Sequence, residues 1–404
     1  MKNFDFTPSR GTVTSPKGFK ASGIYCGLKR KNKDICLLVS DAPATVAGMF
    51  TTNQVPAHCV IYNKGIVQTG HAQAVIINAG NANCCTGPRG WQDNFTMAEK
   101  TASLLSLETQ DVLVLSTGVI GEPMPMNKIK NGIALAVEAL SYDGGIDAAR
   151  AIMTTDTVPK HFSVEFDIDG TICTIGAMAK GSGMIHPNLA TMFGIFTTDV
   201  DIERSLLNEA FREAVNESFN MMTVDGETST NDTVLIFANG AAANPKIKSK
   251  DESYEAFAAA LSQVAREAAK AIAKDGEGAT KLVTVTVDGA ASEEDAIKAA
   301  KAIAKSVLVK TAIFGNDPNW GRVVQSAGAS GAQINLEKFS VEFAGVPVAE
   351  NGGAIPFDRE ETIHMLQNKD IRVKIDLGAG SESATVFTCD LTYDYVTINA
   401  EYHT

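Results

Sequence analysis

The sequence predicts a mixed α/β fold, and three observations carry that prediction. Short apolar runs, Ile35 to Val39, Ala74 to Ile77, Val112 to Leu115 and Met192 to Phe196, stand between polar or turn-forming residues and are too brief for helices, so they read as buried strands. Two long stretches repeat apolar residues at close to 3.6-residue spacing: Ile202, Leu206, Ala210, Phe211, Val215 and Phe219, then Phe257, Leu261, Val264, Ala268 and Ile272. With 45% hydrophobic and 20% charged residues over 404 positions, the chain has ordinary globular composition and can bury a large core.

Taken in order, Ile35 to Val39 is broken by Asp41-Ala42-Pro43, and Ala74 to Ile77 runs into Asn78-Ala79-Gly80-Asn81-Ala82-Asn83-Cys84-Cys85-Thr86-Gly87. Asparagines among glycines at a strand end suit a polar turn; whether they present amides to a ligand or only hold the turn is open from spacing. A helix over Asn94 to Leu105 precedes Val112 to Leu115, which ends in Ser116-Thr117-Gly118-Val119-Ile120-Gly121. Asn127 to Leu140 has helical spacing and closes at Asp143-Gly144-Gly145, and another helix precedes Met153-Thr154-Thr155-Asp156. Phe162 to Ile168 alternates, and Asp169-Gly170 turns it back along Thr171 to Ala177 as a hairpin. The helix of Ile202 to Phe219 starts at Asp201, and after the polar loop Asp225 to Asp232, Thr233 to Ala238 reads as a strand. Ser253 to Ala273 is a helix, Leu282 to Val287 a strand, and Ser292-Glu293-Glu294-Asp295 caps a helix running to about Val309. From Phe339 onward strand and turn signals alternate to the end, and the aromatic-rich tail from Asp390 to Thr404 should dock rather than stay in water.

A formal charge of −12 argues against broad contact with nucleic acid or anionic membrane, although it leaves room for a local cationic pocket. The seven cysteines have no C-x-x-C pair and no zinc-like spacing, which fits reduced thiols; the adjacent Cys84 and Cys85 also admit a redox pair. The N-terminal residues lack the apolar segment of a secretory signal, and no apolar run is long enough to span a bilayer, so the expected compartment is the cytoplasm. The G-x-x-x-x-G-K-[ST] phosphate loop and H-E-x-x-H are absent, and Gly328-Ala329-Ser330-Gly331-Ala332 lacks the last glycine of a nucleophile elbow.

The chemistry centres on Lys180-Gly181-Ser182-Gly183-Met184-Ile185-His186-Pro187-Asn188-Leu189-Ala190-Thr191-Met192. Gly181, Gly183 and Pro187 make this a loop, so Thr191 stands where a loop enters a buried strand, directly after the small Ala190. A hydroxyl held there can attack its own preceding carbonyl, and hydrolysis of the resulting ester frees an α-amine with a reference pKa of about 7.7 to 8.0 beside that hydroxyl. Such an amine can serve as the general base for the threonine. The plainer reading, a β-branched residue opening a strand, stands beside it. Likewise the Thr117 hydroxyl and Gly118 N–H can converge on one oxyanion, or can simply end a strand.

These motifs together resemble the ornithine acetyltransferases, also called glutamate N-acetyltransferases. The resemblance rests on Lys180 to Met192, Asn78 to Asn83, the Thr117-Gly118 segment, Thr154-Thr155-Asp156, Asp225 to Asp232, Gly276-Glu277-Gly278-Ala279-Thr280, Gly315-Asn316-Asp317-Pro318-Asn319-Trp320-Gly321-Arg322 and the terminal Asp394-Tyr395-Val396-Thr397-Ile398-Asn399-Ala400-Glu401-Tyr402. It implies a precursor cut between Ala190 and Thr191 into fragments 1–190 and 191–404, paired as a heterotetramer of two α and two β fragments. It implies a four-layer αββα sandwich like that of N-terminal-nucleophile enzymes over residues 1–280, with a smaller α/β domain over 281–404. Thr191 would be the nucleophile, Thr117 and Gly118 the oxyanion hole, and Thr154, Lys180, Thr191, Glu277, Asn399 and Thr404 the substrate-binding residues. The implied reaction carries acetyl from N-acetylornithine to glutamate by a ping-pong path, without metal or cofactor; acetyl-CoA is a candidate second donor. The competing reading is a hydrolase of the related self-processing aminopeptidases, against which the threonine, in place of a serine, counts. The resemblance assigns no chemistry to Asp225 to Asp232 or to Gly315 to Arg322.

Overall fold

A computed structural model describes residues 6–186 and 192–401. They form two compact units, one built from the chain up to Asn220 together with Thr228–Ala268, the other from Met221–Glu227 together with the chain from Ala269 onward. The division near Ala268 falls inside a helix rather than at residue 280, and the second unit also takes a short segment from before that helix. That segment is held by backbone: Thr223 N–H donates to the Phe387 carbonyl at 2.8 Å.

The first unit carries strands β1 (Phe19–Ile24), β2 (Ile35–Phe50), β3 (His71–Asn81), β4 (Val112–Val119), β5 (Lys160–Ile168), β6 (Thr171–Lys180), β7 (Phe193–Thr198) and β8 (Thr233–Ala238). They form one sheet in the order β4-β3-β2-β8-β7-β6-β5, with β1 paired to β2. The β3/β4 and β7/β8 pairs are parallel and the remaining pairs antiparallel. Helices α1 (His58–Thr69), α2 (Gly87–Leu105), α3 (Met126–Glu138), α4 (Gly145–Ala151), α5 (Arg204–Glu217) and α6 (Glu252–Lys274) accompany the sheet, the last crossing the unit division. Alternation along β7 shows how the helices are shared out. Phe193 and Ile195 join the core that includes Val60 of α1, Met97 of α2, Ile133 of α3 and Ala148 of α4. Phe196 points the other way and meets Phe211 of α5 edge-on, ring centroids 6.2 Å apart. Each such aromatic, fully buried, contributes about 1.5–3 kcal/mol of hydrophobic stabilisation.

The second unit contains β9 (Leu282–Ala290), α7 (Glu293–Lys305), α8 (Val307–Phe314), α9 (Trp320–Gly328), β10 (Ser340–Phe343), β11 (Val346–Glu350), β12 (Gly353–Ala354), α10 (Arg359–Leu366), β13 (Asp370–Asp376), β14 (Glu382–Cys389) and α11 (Tyr393–Glu401). Its sheet runs β12-β11-β10-β13-β9-β14, parallel only between β13 and β9. Ala296, Ala300 and Ile303 of α7 cover Val283, Val285 and Val287 of β9 in one core. The α/β class predicted from apolar periodicity is therefore what both units have, each with helices against a sheet.

Four expectations differ in detail. Helix α2 begins at Gly87, before Asn94, because Pro88 is tolerated in a first turn. Helix α5 begins at Arg204, since Ile202 instead bridges Ile247 and the Glu203 N–H donates to the Ile247 carbonyl. The helix read as continuous to Val309 stops at Lys305, where Ser306 takes up extended geometry and its hydroxyl caps the Val309 N–H of α8. The strand-like tail is the helix α11: β-branched and aromatic composition marks a half-buried surface as much as a strand. That helix docks only in part, with Tyr395 half-buried and Tyr393 81% exposed.

The hairpin between β5 and β6 is as predicted, with Asp169 and Gly170 both at positive φ. The cysteines are free thiols; Cys84 and Cys85 hold their sulfurs 3.7 Å apart without a disulfide. No helix among the described residues is long and apolar enough to cross a membrane.

Candidate active site

In the first unit, the site is assembled where β3 and β4 end side by side. Gly80 of β3 faces Gly118 of β4, with the ladder register shifting at Gly80/Asn81. A Cβ on Gly118 would lie 2.3 Å from the Gly80 carbonyl carbon and 2.5 Å from the Asn81 nitrogen, and Gly118 itself has φ of +132°. Only glycine fits both the backbone angle and the approach. The asparagines around it hold the turn: Asn78 Nδ2 donates to the Asn81 carbonyl, Asn81 Nδ2 to the Glu122 carbonyl and Asn83 Nδ2 to the Gly90 carbonyl. The turn-holding reading of these amides is the one the structure supports.

Asn231, from the polar loop before β8, pins the same place. Its Nδ2 donates at 2.7 Å to both the Ala82 and Ser116 carbonyls, joining the β3 turn to the end of β4. Thr117 follows, 5% exposed, and its hydroxyl accepts from the Lys180 ammonium at 3.2 Å. A hydroxyl has one donor hydrogen and two acceptor lone pairs, so a lone pair given to Lys180 leaves that hydrogen for another acceptor.

Lys180 closes β6, is 3% exposed and pairs across the ladder with Phe193 at the start of β7. Its ammonium lies 5.8 Å from the centre of the Phe193 ring. A buried ammonium is stabilised by nearby negative charge, and two buried carboxylates feel Lys180. Asp156 accepts from Lys160 at 2.7 Å and from the Gly181 N–H at 2.7 Å on one oxygen, and from the Thr154 N–H at 3.0 Å on the other. Burial alone would raise its pKa, but the Lys160 and Lys180 charges and the Gly181 N–H overcome this and hold it at about 2. Asp156 thus ties the Thr154 backbone to the start of the loop after Lys180.

Asp232 behaves in the opposite way. It is 1% exposed, and its Oδ1 accepts the Met192 N–H at 2.7 Å while its Oδ2 has no hydrogen-bond partner among the described residues. Burial pushes this carboxyl well above the ordinary carboxylate range, although the Met192 N–H and Lys180 pull the other way. Met192 in turn accepts the Thr233 N–H, which locks the entry to β7 onto β8. On the other side of the loop, the Thr228 hydroxyl donates to the His186 carbonyl at 3.1 Å. Ala190 and Thr191, the predicted cut site and nucleophile, lie outside the described residues, as does Thr404.

The second unit brings Glu277 and Asn399 together: Asn399 Nδ2 donates to Glu277 Oε2 at 2.8 Å and to the Tyr395 carbonyl at 2.9 Å. Gly276 and Gly278 flank the glutamate for packing reasons. A Cβ on Gly278, at φ +67°, would lie 2.5 Å from the Tyr395 nitrogen, and one on Gly276 2.8 Å from Cys389 Sγ. Tyr395 donates to Asp225 at 3.3 Å, giving the first residue of the polar loop a role in anchoring α11.

Two residues of the Gly315 to Arg322 motif hold neighbouring segments of the second unit. Asn316, at positive φ, accepts from the buried Lys281 ammonium at 2.5 Å, and Arg322 donates to the Leu308 carbonyl at 2.6 Å. Among the described residues no group of three or more His, Cys, Asp or Glu could hold a metal ion.

Of the predicted residues, Thr117, Gly118, Thr154 and Lys180 belong to the first unit, and Glu277 and Asn399 to the second. Three residues of the site carried no predicted role: Asp156, Asn231 and Asp232. The available signal was an Asp placed one residue before the apolar run Val234 to Ala238 of β8, since a carboxylate entering a buried strand needs a specific donor.

Comparison with known proteins gives the family. The sequence model of the ArgJ family matches residues 20–404. The "Arginine biosynthesis bifunctional protein ArgJ" of Caldanaerobacter subterraneus subsp. tengcongensis is 48% identical over 398 residues, covering 98% of this chain and 99% of that one. The protein of the same description from Symbiobacterium thermophilum is 49% identical over 397 residues, covering 98% and 99%. Among solved structures, the arginine biosynthesis bifunctional protein ArgJ of Bacillus halodurans matches with a TM-score of 0.50 and 40% identity, covering 52% of this chain and 98% of that one.

Proposed function

This chain belongs to the ArgJ family of arginine-biosynthesis enzymes, and from that premise we propose that it is a self-processing N-acetyltransferase that carries acetyl from N-acetylornithine to glutamate through Thr191. The observation that carries the reading is the buried Lys180 ammonium 3.2 Å from the Thr117 hydroxyl, on a strand whose ladder partner is Phe193, two residues past Thr191. A buried cation beside a hydroxyl donor suits a site where negative charge develops on oxygen. The Bacillus halodurans chain supports the processing step: matched over 98% of its length, it answers to 52% of this chain, about the share that residues 191–404 make up.

In the first half-reaction the Thr191 oxygen attacks the acetyl carbonyl of N-acetylornithine, and the α-amine freed by processing takes the hydroxyl proton. The Thr117 hydroxyl and Gly118 N–H hold the oxyanion; the C–N bond breaks and ornithine leaves carrying that proton. In the second, the glutamate amine attacks the acetyl ester, the C–O bond breaks, and the proton returns to the threonine oxygen. Lys180 and Thr154 receive the substrate carboxylate. Amide is exchanged for amide, so the transfer needs no ATP. The fragments 1–190 and 191–404 remain paired, two of each in the assembly, because Thr191 leads directly into the core strand β7.

Intact-mass measurement together with product analysis tests this. The wild type should resolve into two species cut between Ala190 and Thr191 and form N-acetylglutamate and ornithine; Thr191→Ala should stay as one species and form neither. A wild type that is active but uncut overturns the reading, and free acetate in place of N-acetylglutamate moves the protein to the self-processing aminopeptidase-like hydrolases.

A further inference from the structure

Self-cleavage poses a chemical problem that the finished enzyme does not have. In the mature chain the Thr191 α-amine is the base for its own hydroxyl. In the precursor that nitrogen is still the amide of the Ala190–Thr191 bond, where its lone pair is tied up in resonance with the carbonyl. The cut therefore needs another group to take the hydroxyl proton and to place a proton on the departing nitrogen. Of the ionisable side chains described near the entry to β7, Lys180 as an ammonium has no lone pair to offer. Asp156 is committed to Lys160 and to the N–H groups of Thr154 and Gly181, and a carboxylate held at about 2 is a weak base.

Asp232 meets the requirement. Its Oδ1 accepts the Met192 N–H at 2.7 Å, and Met192 N is the far end of the Thr191 peptide unit. Standard bond lengths keep the Thr191 backbone nitrogen within about 4 Å of the Met192 nitrogen in any conformation. The carboxyl is thus tethered beside the reacting residue, while its Oδ2 is buried and has no hydrogen-bond partner among the described residues. Structural carboxylates in this unit fill their lone pairs instead: Asp34 accepts the backbone N–H groups of Cys26, Gly27, Leu28 and Lys29, and Asp199 those of Lys17 and Thr174. Asp232 is also held firmly, since its carbonyl accepts the Thr51 N–H at 3.0 Å and the Thr233 N–H donates to the Met192 carbonyl at 3.2 Å. Around it β6 contributes the Lys180 ammonium, β7 the Met192 N–H and the segment after β2 the Thr51 N–H; among the described residues, Lys180 is the charge that acts on it. Burial raises this carboxyl well above the ordinary carboxylate range, towards the pH at which one group can both take and return a proton.

We propose that Asp232 is the proton carrier of self-cleavage, general base towards the Thr191 hydroxyl and then general acid towards the Thr191 nitrogen. The assignment rests on the self-processing reading above. The ionised Oδ2 takes the hydroxyl proton as the Thr191 oxygen forms its bond to the Ala190 carbonyl carbon. The Ala190–Thr191 C–N bond breaks, and the same proton passes from Oδ2 to the leaving nitrogen, which becomes the α-amine. Water then cuts the Ala190 ester: its oxygen bonds to the Ala190 carbon, the C–O bond to threonine breaks, one water proton goes to the threonine oxygen, and Ala190 ends as a carboxylic acid. Asp232 finishes ionised, as it began, and the new amine serves the threonine from then on.

The test follows the full-length chain, pulse-labelled by cell-free translation and chased in buffers from about pH 5 to about pH 9, by intact mass. Wild-type cleavage should slow as pH falls through the folded value of Asp232, well above the ordinary Asp value of about 3.9. Asp232→Asn keeps an acceptor for the Met192 N–H but cannot take a proton, so it should slow cleavage about 100-fold or more and flatten the residual pH profile. Hydroxylamine, which cleaves esters, should speed cleavage of the wild type and not of this variant. Asp232→Glu should recover part of the rate together with the pH slope, and Asp199→Asn should keep the wild-type slope. Asp232→Asn cleaving within about threefold of wild type, a residual profile with the wild-type slope, hydroxylamine cleavage as fast as in wild type, or a slope lost equally in Asp199→Asn or His186→Gln overturns the assignment. Should Asp232→Asn fail to fold, the wild-type profile decides, and a pH-independent rate overturns it. An active wild type that is never cut overturns the proposed function and this assignment with it, whereas a wild type that cuts itself no faster than Asp232→Asn overturns this assignment alone.

Discussion

Replacing Gly118 by alanine should be far more damaging than its single methyl group suggests. The new Cβ would stand 2.3 Å from the Gly80 carbonyl carbon and 2.5 Å from the Asn81 nitrogen, both backbone atoms that cannot rotate away. At φ of +132° the alanine also sits in a region that L side chains rarely adopt, a strain of about 1–3 kcal/mol. Forcing β3 and β4 apart adds an overpacking cost of about 1–3 kcal/mol, for a total of about 2–6 kcal/mol. Gly121 is the internal control: it too has positive φ, +85°, but a Cβ there meets nothing within 4 Å, so Gly121→Ala should carry the backbone strain of about 1–3 kcal/mol alone. Urea unfolding followed by tryptophan fluorescence in a Trp320→Phe background reads the first unit, because the remaining Trp91 lies in α2. The gap between the variants, about 1–3 kcal/mol, should appear as a lower midpoint for Gly118→Ala. If Gly118 also supplies an oxyanion donor, displacing its N–H should lower kcat about 10²- to 10³-fold with Gly121→Ala little changed. Equal midpoints and equal turnover for the two variants would refute the argument that the close approach of β3 is what demands glycine.

Other perturbations follow from the same geometry. Asn231→Ala removes two 2.7 Å hydrogen bonds and strands the buried Ala82 and Ser116 carbonyls, so it should cost about 2–4 kcal/mol of stability by urea denaturation; a loss under about 1 kcal/mol would mean that the turn stands without it. Asp232 has its pKa raised by burial in the folded state, so the folded chain holds this proton more tightly than the unfolded chain. Its contribution to stability is therefore full below the ordinary Asp value of about 3.9 and is lost as pH rises towards the folded value, by at most about 1.4 kcal/mol per pH unit. Asp232→Asn keeps an acceptor for the Met192 N–H but cannot titrate. Urea midpoints from pH 4 upward should lose that slope in the variant, and identical slopes would show that Asp232 is not its source.

The sequence alone determined the α/β class, the long amphipathic helices, the hairpin into Lys180, and a set of short motifs specific enough to point to one family. Those features are local: apolar period, turn chemistry and residue order are written in consecutive positions. What only the tertiary structure decided is how distant segments complete one another. Asn231 becomes a clamp only because the end of β8's loop lies over the ends of β3 and β4, and the asparagines of the β3 turn prove to be spent on holding backbone. Asp156 and Asp232 are indistinguishable as isolated letters. Their opposite pKa shifts come from what surrounds each once folded: two nearby lysines and two backbone N–H groups for Asp156, and for Asp232 burial with one backbone N–H and, among the described residues, no partner on its other oxygen. The boundaries that sequence reading missed, at Ser306 and over α11, have the same origin, since a serine becomes a cap and a β-branched run becomes a helix according to the surface on which it is packed.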